Sequence, residues 1–126
     1  MLNLHAPFRW AEPGDAAAIA KLGIQADLSG GQAVVAGENG RVFGFIAGDT
    51  DGEVWALRSF WVAPGWEDQL APRILAVADA IAADEGLAFV RLDKAVAQDG
   101  LATLLDQEGF RPDEDGALRR PVIPQG

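Results

Sequence analysis

Several reactive residue types are absent from this chain or nearly so. It contains no cysteine and no tyrosine, and histidine occurs once, as His5. Without cysteine the chain can form neither a disulfide nor a thiolate metal site, and it has no thiol nucleophile. A single histidine cannot supply a histidine-rich metal centre, so we expect no bound metal. The lack of tyrosine removes the phenol group as a proton donor.

Positive charge is also scarce. The chain has 10 lysine and arginine residues against 19 aspartate and glutamate residues, which gives a formal net charge of −9 at pH 7. This charge repels nucleic-acid phosphates and anionic lipid headgroups, so we expect neither as a partner, whereas ligands that carry an amine are favoured. No apolar run approaches the roughly 18 residues that a membrane span needs, and residues 1–10 lack the pattern of a signal peptide. We therefore expect a cytoplasmic protein.

What the chain does contain is typical of one globular domain. Of its 126 residues 49% are apolar, and neither a repeat nor a linker divides them, so we predict a single domain over residues 1–126. Its 15 glycines and 7 prolines separate short segments of strand and helix character. Strands are predicted, with turns such as Asn39-Gly40 between them, at 8–11, 33–36, 41–48, 53–62, 88–92, 110–112 and 117–122.

Three helices are predicted between these strands. The first is capped by Asp15, the second has Pro72 in its first turn, and the third is capped by Asp99. The segment 53–62 is almost continuously apolar, as in a central strand that is covered on both faces. The helix after it is long enough for a right-handed crossover to a parallel strand at 88–92. The predicted fold class is therefore α+β: a mixed sheet, mostly antiparallel with one parallel pair, flanked by helices.

Three parts of the chain resemble a known family. Leu57–Pro64, with the sequence LRSFWVAP, is similar to the fourth strand of the GNAT acetyltransferases and its exit. Ile74–Ala80 and the helix end Asp84–Gly86 resemble the family's third helix, and Leu105–Pro112 resembles the passage from its last helix through Gly-Phe into its sixth strand. This GNAT resemblance implies that acetyl-coenzyme A binds as co-substrate where the fourth and fifth strands separate. It also implies acetyl transfer to an amine of a small molecule or of a protein terminus.

The resemblance further implies which residues contact coenzyme A. In the family a glycine-rich loop before the third helix holds the pyrophosphate with its backbone N–H groups. The matching loop here is Trp66–Ala71, in which only Ala71 fits, because Gln69 replaces a glycine and two acidic residues precede it. Weak binding is therefore predicted, with Arg73 as the compensating cation. The predicted contacts are Phe60, Trp61 and Val62 of the strand and Asp68, Gln69, Leu70, Ala71 and Arg73 at the start of the helix.

The positions that carry catalysis in the family hold residues without acid–base chemistry in this chain. The carboxylate that accepts the proton of the amine corresponds to Ala56, and the tyrosine that protonates the departing thiolate corresponds to Leu105, whose spacing predicts a buried side chain. Glu53 is the predicted substitute base, acting through water. Two functions remain open: an acetyl-coenzyme A-dependent N-acetyltransferase that relies on positioning and strand amides, or a catalytically silent relative that binds a small ligand or a partner protein. The oligomeric state, a homodimer included, also remains open.

The tryptophans and an acidic run near the end of the sequence also allow predictions. Three of the four tryptophans fall at strand positions and are predicted to be core residues, whereas Trp66 falls in a loop and favours a ligand contact. The acidic run Asp113–Asp115 is predicted as the solvated tip of the last hairpin and not as a metal site.

Overall fold

The described residues form one mixed sheet of seven strands with helices on both faces. This computed structural model describes residues 4–23, 32–38, 41–93 and 102–122. In chain order the elements are β1 (Phe8–Trp10), α1 (Pro13–Ala20), β2 (Gln32–Glu38), β3 (Arg41–Asp51), β4 (Val54–Val62), α2 (Glu67–Asp84), β5 (Phe89–Leu92), α3 (Ala102–Gln107), β6 (Arg111–Pro112) and β7 (Leu118–Pro121). The strands lie in the order β1-β2-β3-β4-β5-β7-β6, and all neighbours are antiparallel except β4 and β5. The predicted α+β class with one parallel pair is confirmed.

β4 is the central strand of this sheet, as its continuous apolar character predicts. It is bonded to β3 on one side and to β5 on the other, where the paired residues run from Val54–Phe89 to Leu57–Leu92. Parallel neighbours need a crossover connection, and α2 provides it by packing across β3, β4 and β5. Side chains of β4 alternate between the two faces: Trp55 lies on the α2 side and Trp61 on the α1 side.

The core has two parts of unequal size, one on each face of the sheet. The larger part lies under α2 and α3 and includes fully buried residues such as Ile74 and Trp55. The smaller part lies under α1 and consists of Ile19, Val35 and Phe45. Each fully buried side chain of this size contributes about 1.5–3 kcal/mol. The larger core therefore fixes α2 against β4, and this contact positions the end of β4 relative to the start of α2.

The helix α2 begins earlier than the sequence predicts. Pro72 was expected in the first turn, but the helix starts at Glu67 and Pro72 lies in its second turn. A proline there has no N–H for the carbonyl of Asp68, four residues before it. The helix continues through this position because Asp68 is exposed to water, which can satisfy the carbonyl, and because Leu70 and Ala71, which lie between Asp68 and Pro72, are buried in the core. None of the helices in the described ranges combines the length and the apolar character that crossing a bilayer requires.

The helix α1 also begins before its predicted cap. It starts at Pro13 after Glu12, so that Asp15 is its third residue and not the cap. The Asp15 carboxylate accepts the backbone N–H of Glu12 at 2.6 Å and both terminal nitrogens of Arg9 at 2.7 Å. The aspartate thus ties the helix start to β1, and proline at the first helical position needs no hydrogen-bond partner. The predicted cap Asp99 and the turn Asn39-Gly40 lie outside the described residues.

Both outer strands of the sheet are very short. β1 covers only Phe8–Trp10 beside the longer β2, and β6 covers only Arg111–Pro112 beside β7. The N–H of Ala11 donates to the Ala33 carbonyl and continues the contact of β1 with β2 past the end of the strand. The last hairpin is present as predicted.

Candidate active site

The most distinctive feature of the sheet is the place where β4 and β5 cease to pair. β5 ends at Leu92 opposite Leu57, whereas β4 continues from Arg58 to Val62 beside β3. Within the described ranges the pairing of β4 with β5 ends at Leu57, and we call the space beside Arg58–Val62, on the side away from β3, the strand gap. In an extended strand alternate backbone N–H and C=O groups point to opposite sides, so part of the backbone of this stretch points toward the strand gap. An extended ligand with amide groups can therefore lie there in the manner of an added strand.

A β-bulge marks the start of the strand gap. Ala47 pairs with Ser59 while Gly48 pairs with Leu57, so Arg58 is an extra residue of β4. The Arg58 Nε atom lies 2.5 Å from Oδ2 of Asp49 on β3. The bulge turns β4 away from its earlier direction, and the ion pair joins the bulged residue to the neighbouring strand.

Close approach of β3 and β4 at this bulge requires a glycine. A Cβ atom on Gly48 would lie 2.7 Å from the Ala56 carbonyl oxygen and 2.9 Å from the Trp55 ring. Any other residue would push the strands apart directly beside the bulge. Because Gly48 faces the Trp55 side, Asp49 as the next residue of the strand faces the α1 side.

The structure distributes the predicted coenzyme A contacts over three environments. Phe60, Val62, Leu70 and Ala71 are buried in the α2-side core, so only their backbone can border a ligand. Trp61 packs on the other face, with its ring 5.9 Å from that of Phe45. The remaining three lie in α2, where their side chains are exposed: Asp68, Gln69 and Arg73. Their assignment as coenzyme A contacts remains a prediction.

The predicted phosphate loop is largely helical. Trp66–Ala71 was expected to be a loop, but α2 already begins at Glu67, and the N–H of Leu70 donates to the Trp66 carbonyl at 2.8 Å. The N–H of Gly65 donates to Oε2 of Glu67 at 2.8 Å. A carboxylate of the chain itself thus occupies an N–H group that a bound phosphate would need. With Asp68 also in the first turn, two carboxylates oppose an anion at the start of α2.

The residues predicted for acid–base chemistry lie apart from the strand gap. Glu53 is exposed in the turn before β4, and its carbonyl accepts the N–H of Ala88 at 2.8 Å. Ser59 follows it by six positions along the extended chain, a distance of about 20 Å. Leu105 is fully buried, as its spacing predicts, and forms part of the α2-side core. The role of Glu53 as base remains a prediction.

An ion pair joins β5 to the last hairpin. Nε of Arg91 on β5 donates to Asp113 at 2.9 Å. This hydrogen bond lowers the pKa of Asp113, and the backbone N–H groups of Asp115 and Ala117, which also donate to Asp113, add to the effect. The acidic run therefore forms the tip of the last hairpin and folds back on β5.

Sequence reasoning missed one concavity. A cavity of about 350 Å³ lies between the first turns of α2, the end of β2 and the start of β3, and Trp66 and Arg73 are among its lining residues. The one signal for it in the sequence was the position of Trp66 in a loop. The choice of strands that close the cavity depends on the sheet order, which local sequence patterns do not specify.

Comparison with known proteins gives a uniform result for the fold. The chain matches no model of a protein family, and no curated protein matches it in sequence. A GNAT-family acetyltransferase from Staphylococcus aureus Mu50 has a similar structure, with a TM-score of 0.69, 14% identity and coverage of 92% of this chain and 98% of that one. The ribosomal-protein-S18-alanine N-acetyltransferase from Escherichia coli has a TM-score of 0.65 at 16% identity, over 94% and 95% of the two chains.

A third similar structure was determined with coenzyme A. This aminoglycoside 6'-N-acetyltransferase has a TM-score of 0.56 and 17% identity, over 75% of this chain and 74% of that one. At identities this low, the fold is the property that these structures share with the chain. The chain therefore has the fold of the GNAT acetyltransferases.

Proposed function

We propose that the protein transfers an acetyl group from acetyl-coenzyme A to an amine. The observation that carries this proposal is the strand gap, where β4 extends from Arg58 to Val62 past the end of its pairing with β5. The pantetheine arm of coenzyme A is an extended chain with two amide groups, so it can bond to the backbone of this stretch as a strand would. Two of the fold relatives named above are N-acetyltransferases by name, which supports an amine as the acceptor group here.

In this reaction the amine nitrogen attacks the carbonyl carbon of the thioester. A C–N bond forms, the C–S bond breaks, the sulfur leaves as a thiolate and the amine loses a proton to water. Backbone N–H groups of β4 that point toward the strand gap can polarise the thioester oxygen. The chain's contribution is then positioning and polarisation, because Leu105 is buried and cannot donate a proton.

Glu53 enters this proposal as a base that acts through water. Its distance from the strand gap excludes direct proton transfer from an amine bound there, so a chain of water molecules would have to connect the two. The acceptor is an amine of a small molecule or of a protein terminus. The net charge of −9 favours an acceptor that arrives as a cation.

Thiol release with a panel of amines tests the proposal. Without an acid for the thiolate the rate should rise steadily with pH, because the free amine is the reacting species. Glu53→Gln should slow the reaction, whereas Glu114→Gln at the exposed hairpin tip should not. A bell-shaped pH profile, or a Glu53→Gln protein as fast as the parent, would contradict this mechanism.

A second candidate function has its own observation. The Gly65 N–H is already bonded to the Glu67 carboxylate, at the point where a phosphate would bind. This contact favours a catalytically silent domain that binds some other ligand or a partner protein. Calorimetric titration with coenzyme A separates the two candidates: measurable heat of binding supports acetyl transfer, and a folded protein without binding or turnover supports the silent domain.

A further inference from the structure

The cavity beside α2 is separate from the strand gap. It is lined by residues of β2, β3 and the segment before β1, which lie on the other side of β4 from β5, and by Trp66 and the first turns of α2. Its volume of about 350 Å³ is within the range of small-molecule sites. A ligand in this cavity would therefore not occupy the place of the pantetheine arm.

One wall of the cavity is aromatic. The rings of Phe43 and Trp66 lie with their centroids 4.7 Å apart, and Leu70 continues the apolar surface toward the core. Trp66 is 41% exposed, although an indole of this size loses favourable burial when it faces water. A planar ring placed against it would cover this exposed surface.

Two polar side chains of α2 also line the cavity. Gln69 and Arg73 are one helical turn apart on α2, so their side chains lie on the same face of the helix. The guanidinium carbon of Arg73 lies 5.2 Å from the centre of the Phe8 ring. Within the described part of the chain, neither Gln69 nor Arg73 makes a side-chain hydrogen bond or an ion pair, whereas Arg9, Arg91 and Arg111 are all bonded to carboxylates. The guanidinium therefore still has donors in a planar array that matches a carboxylate.

We infer that this cavity binds a small aromatic carboxylate, with its ring against Trp66 and Phe43 and its carboxylate on Arg73. The Gln69 amide can donate a further hydrogen bond to the same group. Glu38 also lines the cavity and adds a negative charge, which disfavours ligands with several charges such as phosphate esters. The inference does not depend on acetyl transfer, and it assigns Arg73 to this cavity and not to a pyrophosphate.

Chemical-shift mapping with 2-naphthoate tests the assignment. The amide signals of residues 36–38, 43, 66–71 and 73 should shift, whereas 2-naphthamide, which lacks the charge, and acetate, which lacks the ring, should bind at least about tenfold more weakly. Arg73→Met keeps most of the apolar stem and should weaken 2-naphthoate binding by about tenfold or more. Arg41→Met is the matched control, since it removes the same charge from an exposed arginine whose guanidinium carbon lies 5.6 Å from the centre of the Phe43 ring but which does not line this cavity. Trp66→Ala should weaken 2-naphthoate and 2-naphthamide alike.

Several results would overturn the inference. These are an absence of shifts up to the solubility limit of 2-naphthoate, shifts that map to residues 58–62, equal binding of acid and amide, and equal losses in Arg73→Met and Arg41→Met. A titration with coenzyme A in the presence of saturating 2-naphthoate should give the same affinity as without it, and competition would also contradict separate sites. If coenzyme A does not bind at all, the proposed acetyl transfer fails, while the 2-naphthoate titration still decides the cavity.

Discussion

At the scale of single residues, two carboxylates govern the starts of the helices in different ways. Asp15 is buried at the start of α1, where Arg9 and the Glu12 N–H bind it. Glu67 is at the start of α2 and binds the Gly65 N–H in an exposed turn. The first carboxylate stabilises the fold, whereas the second occupies a position that the proposed function would give to a ligand.

The Asp15 carboxylate should make stability depend on pH in the acid range. The hydrogen bond from Arg9 holds the pKa of Asp15 below its ordinary value of 3.8. A lowered pKa stabilises the folded state above the ordinary pKa, and this contribution is lost as the pH falls through the lower folded value. Asp15→Asn should cost about 1–3 kcal/mol at neutral pH and flatten the decline of stability below about pH 5. Urea unfolding across this range measures both effects.

The control for this experiment is Asp106→Asn. Asp106 also pairs with an arginine, Arg111 at 2.8 Å, but both side chains are mostly exposed. Exposed ion pairs contribute little to stability, so the control variant should lose stability at acid pH in the same way as the parent. Equal effects of the two substitutions would show that the burial of Asp15 does not matter.

The Glu67 carboxylate should weaken coenzyme A binding. Glu67→Gln removes a negative charge from the first turn of α2 and weakens the hold on the Gly65 N–H. The affinity for coenzyme A should rise by about twofold to fivefold at low salt. Asp84→Asn removes the same charge from the last turn of α2 and should not raise it. Titration calorimetry compares the three proteins, and an unchanged affinity in Glu67→Gln would place the phosphates elsewhere.

At the scale of the elements, close contacts around α2 and β4 hold the architecture together. Gly48 lets β3 approach β4 at the bulge. Arg120 of β7 donates to Asp79 of α2 inside the core, and to the Glu108 carbonyl after α3 at 2.6 Å. The close approach at Gly48 shapes the strand gap. The hydrogen bonds of Arg120 join β7 to α2 and to the turn after α3.

Alanine at two glycine positions should have opposite effects. Gly48→Ala places a methyl group within 2.9 Å of the Trp55 ring and closer still to a backbone oxygen, so it should destabilise the protein by about 1–3 kcal/mol. Gly14 lies in α1 with nothing within 4 Å of an added Cβ, and Gly14→Ala should stabilise by about 0.5 kcal/mol. Thermal unfolding of the two variants should move in opposite directions. A harmless Gly48→Ala would mean that β3 and β4 can separate at the bulge without cost.

The buried pair of Asp79 and Arg120 should be costly to break on one side only. Arg120→Met leaves the Asp79 charge in a site where its side chain is 2% exposed, which should cost about 3–5 kcal/mol. The double variant Asp79→Leu with Arg120→Met leaves no buried charge and should recover much of this loss. Urea denaturation midpoints measure the difference. If the double variant is as unstable as the single one, the hydrogen bond to the Glu108 carbonyl matters more than the charge pair.

The sequence predicts those elements whose residues specify them locally. The apolar run of β4 and the helical spacing of Leu105 are local patterns, and both predictions agree with the structure. The start of α2 was misplaced because Pro72 locally favours a first turn, and burial of Leu70 and Ala71 overrides that preference. The cavity at Trp66 and Arg73 combines residues of distant segments, so local patterns indicate Trp66 but not the residues that complete the cavity around it.

At the scale of the whole molecule, the net charge of −9 acts on every anionic ligand. Coenzyme A carries several negative charges on its phosphates, and the start of α2 adds two acidic residues close to the proposed site. The net charge of the chain and the two acidic residues at the start of α2 therefore both repel coenzyme A. Salt screens such repulsion over distances beyond about 10 Å at 0.1 M.

This repulsion should give coenzyme A binding an unusual dependence on salt. The affinity should rise between about 20 mM and about 200 mM salt, because screening removes more repulsion than attraction. An anion site built from basic residues would lose affinity over the same range. Calorimetry at both salt concentrations decides between them. A fall in affinity would indicate that cations such as Arg73 dominate the contact.

The short outer strands have a consequence for how copies of the chain meet. A sheet normally ends in a row of unpaired N–H and C=O groups, onto which a strand from another molecule can add and so begin aggregation. Here the two ends of the sheet are Phe8–Trp10 and Arg111–Pro112, too short to serve as a template for an extended segment, and Pro112 lacks the N–H that such an addition would use. Among the described strands, β3 lies between β2 and β4, and β4 lies between β3 and β5 as far as Leu57, where the strand gap begins. The order of strands thus makes the strand gap, and not an outer edge of the sheet, the place where an extended segment can be added.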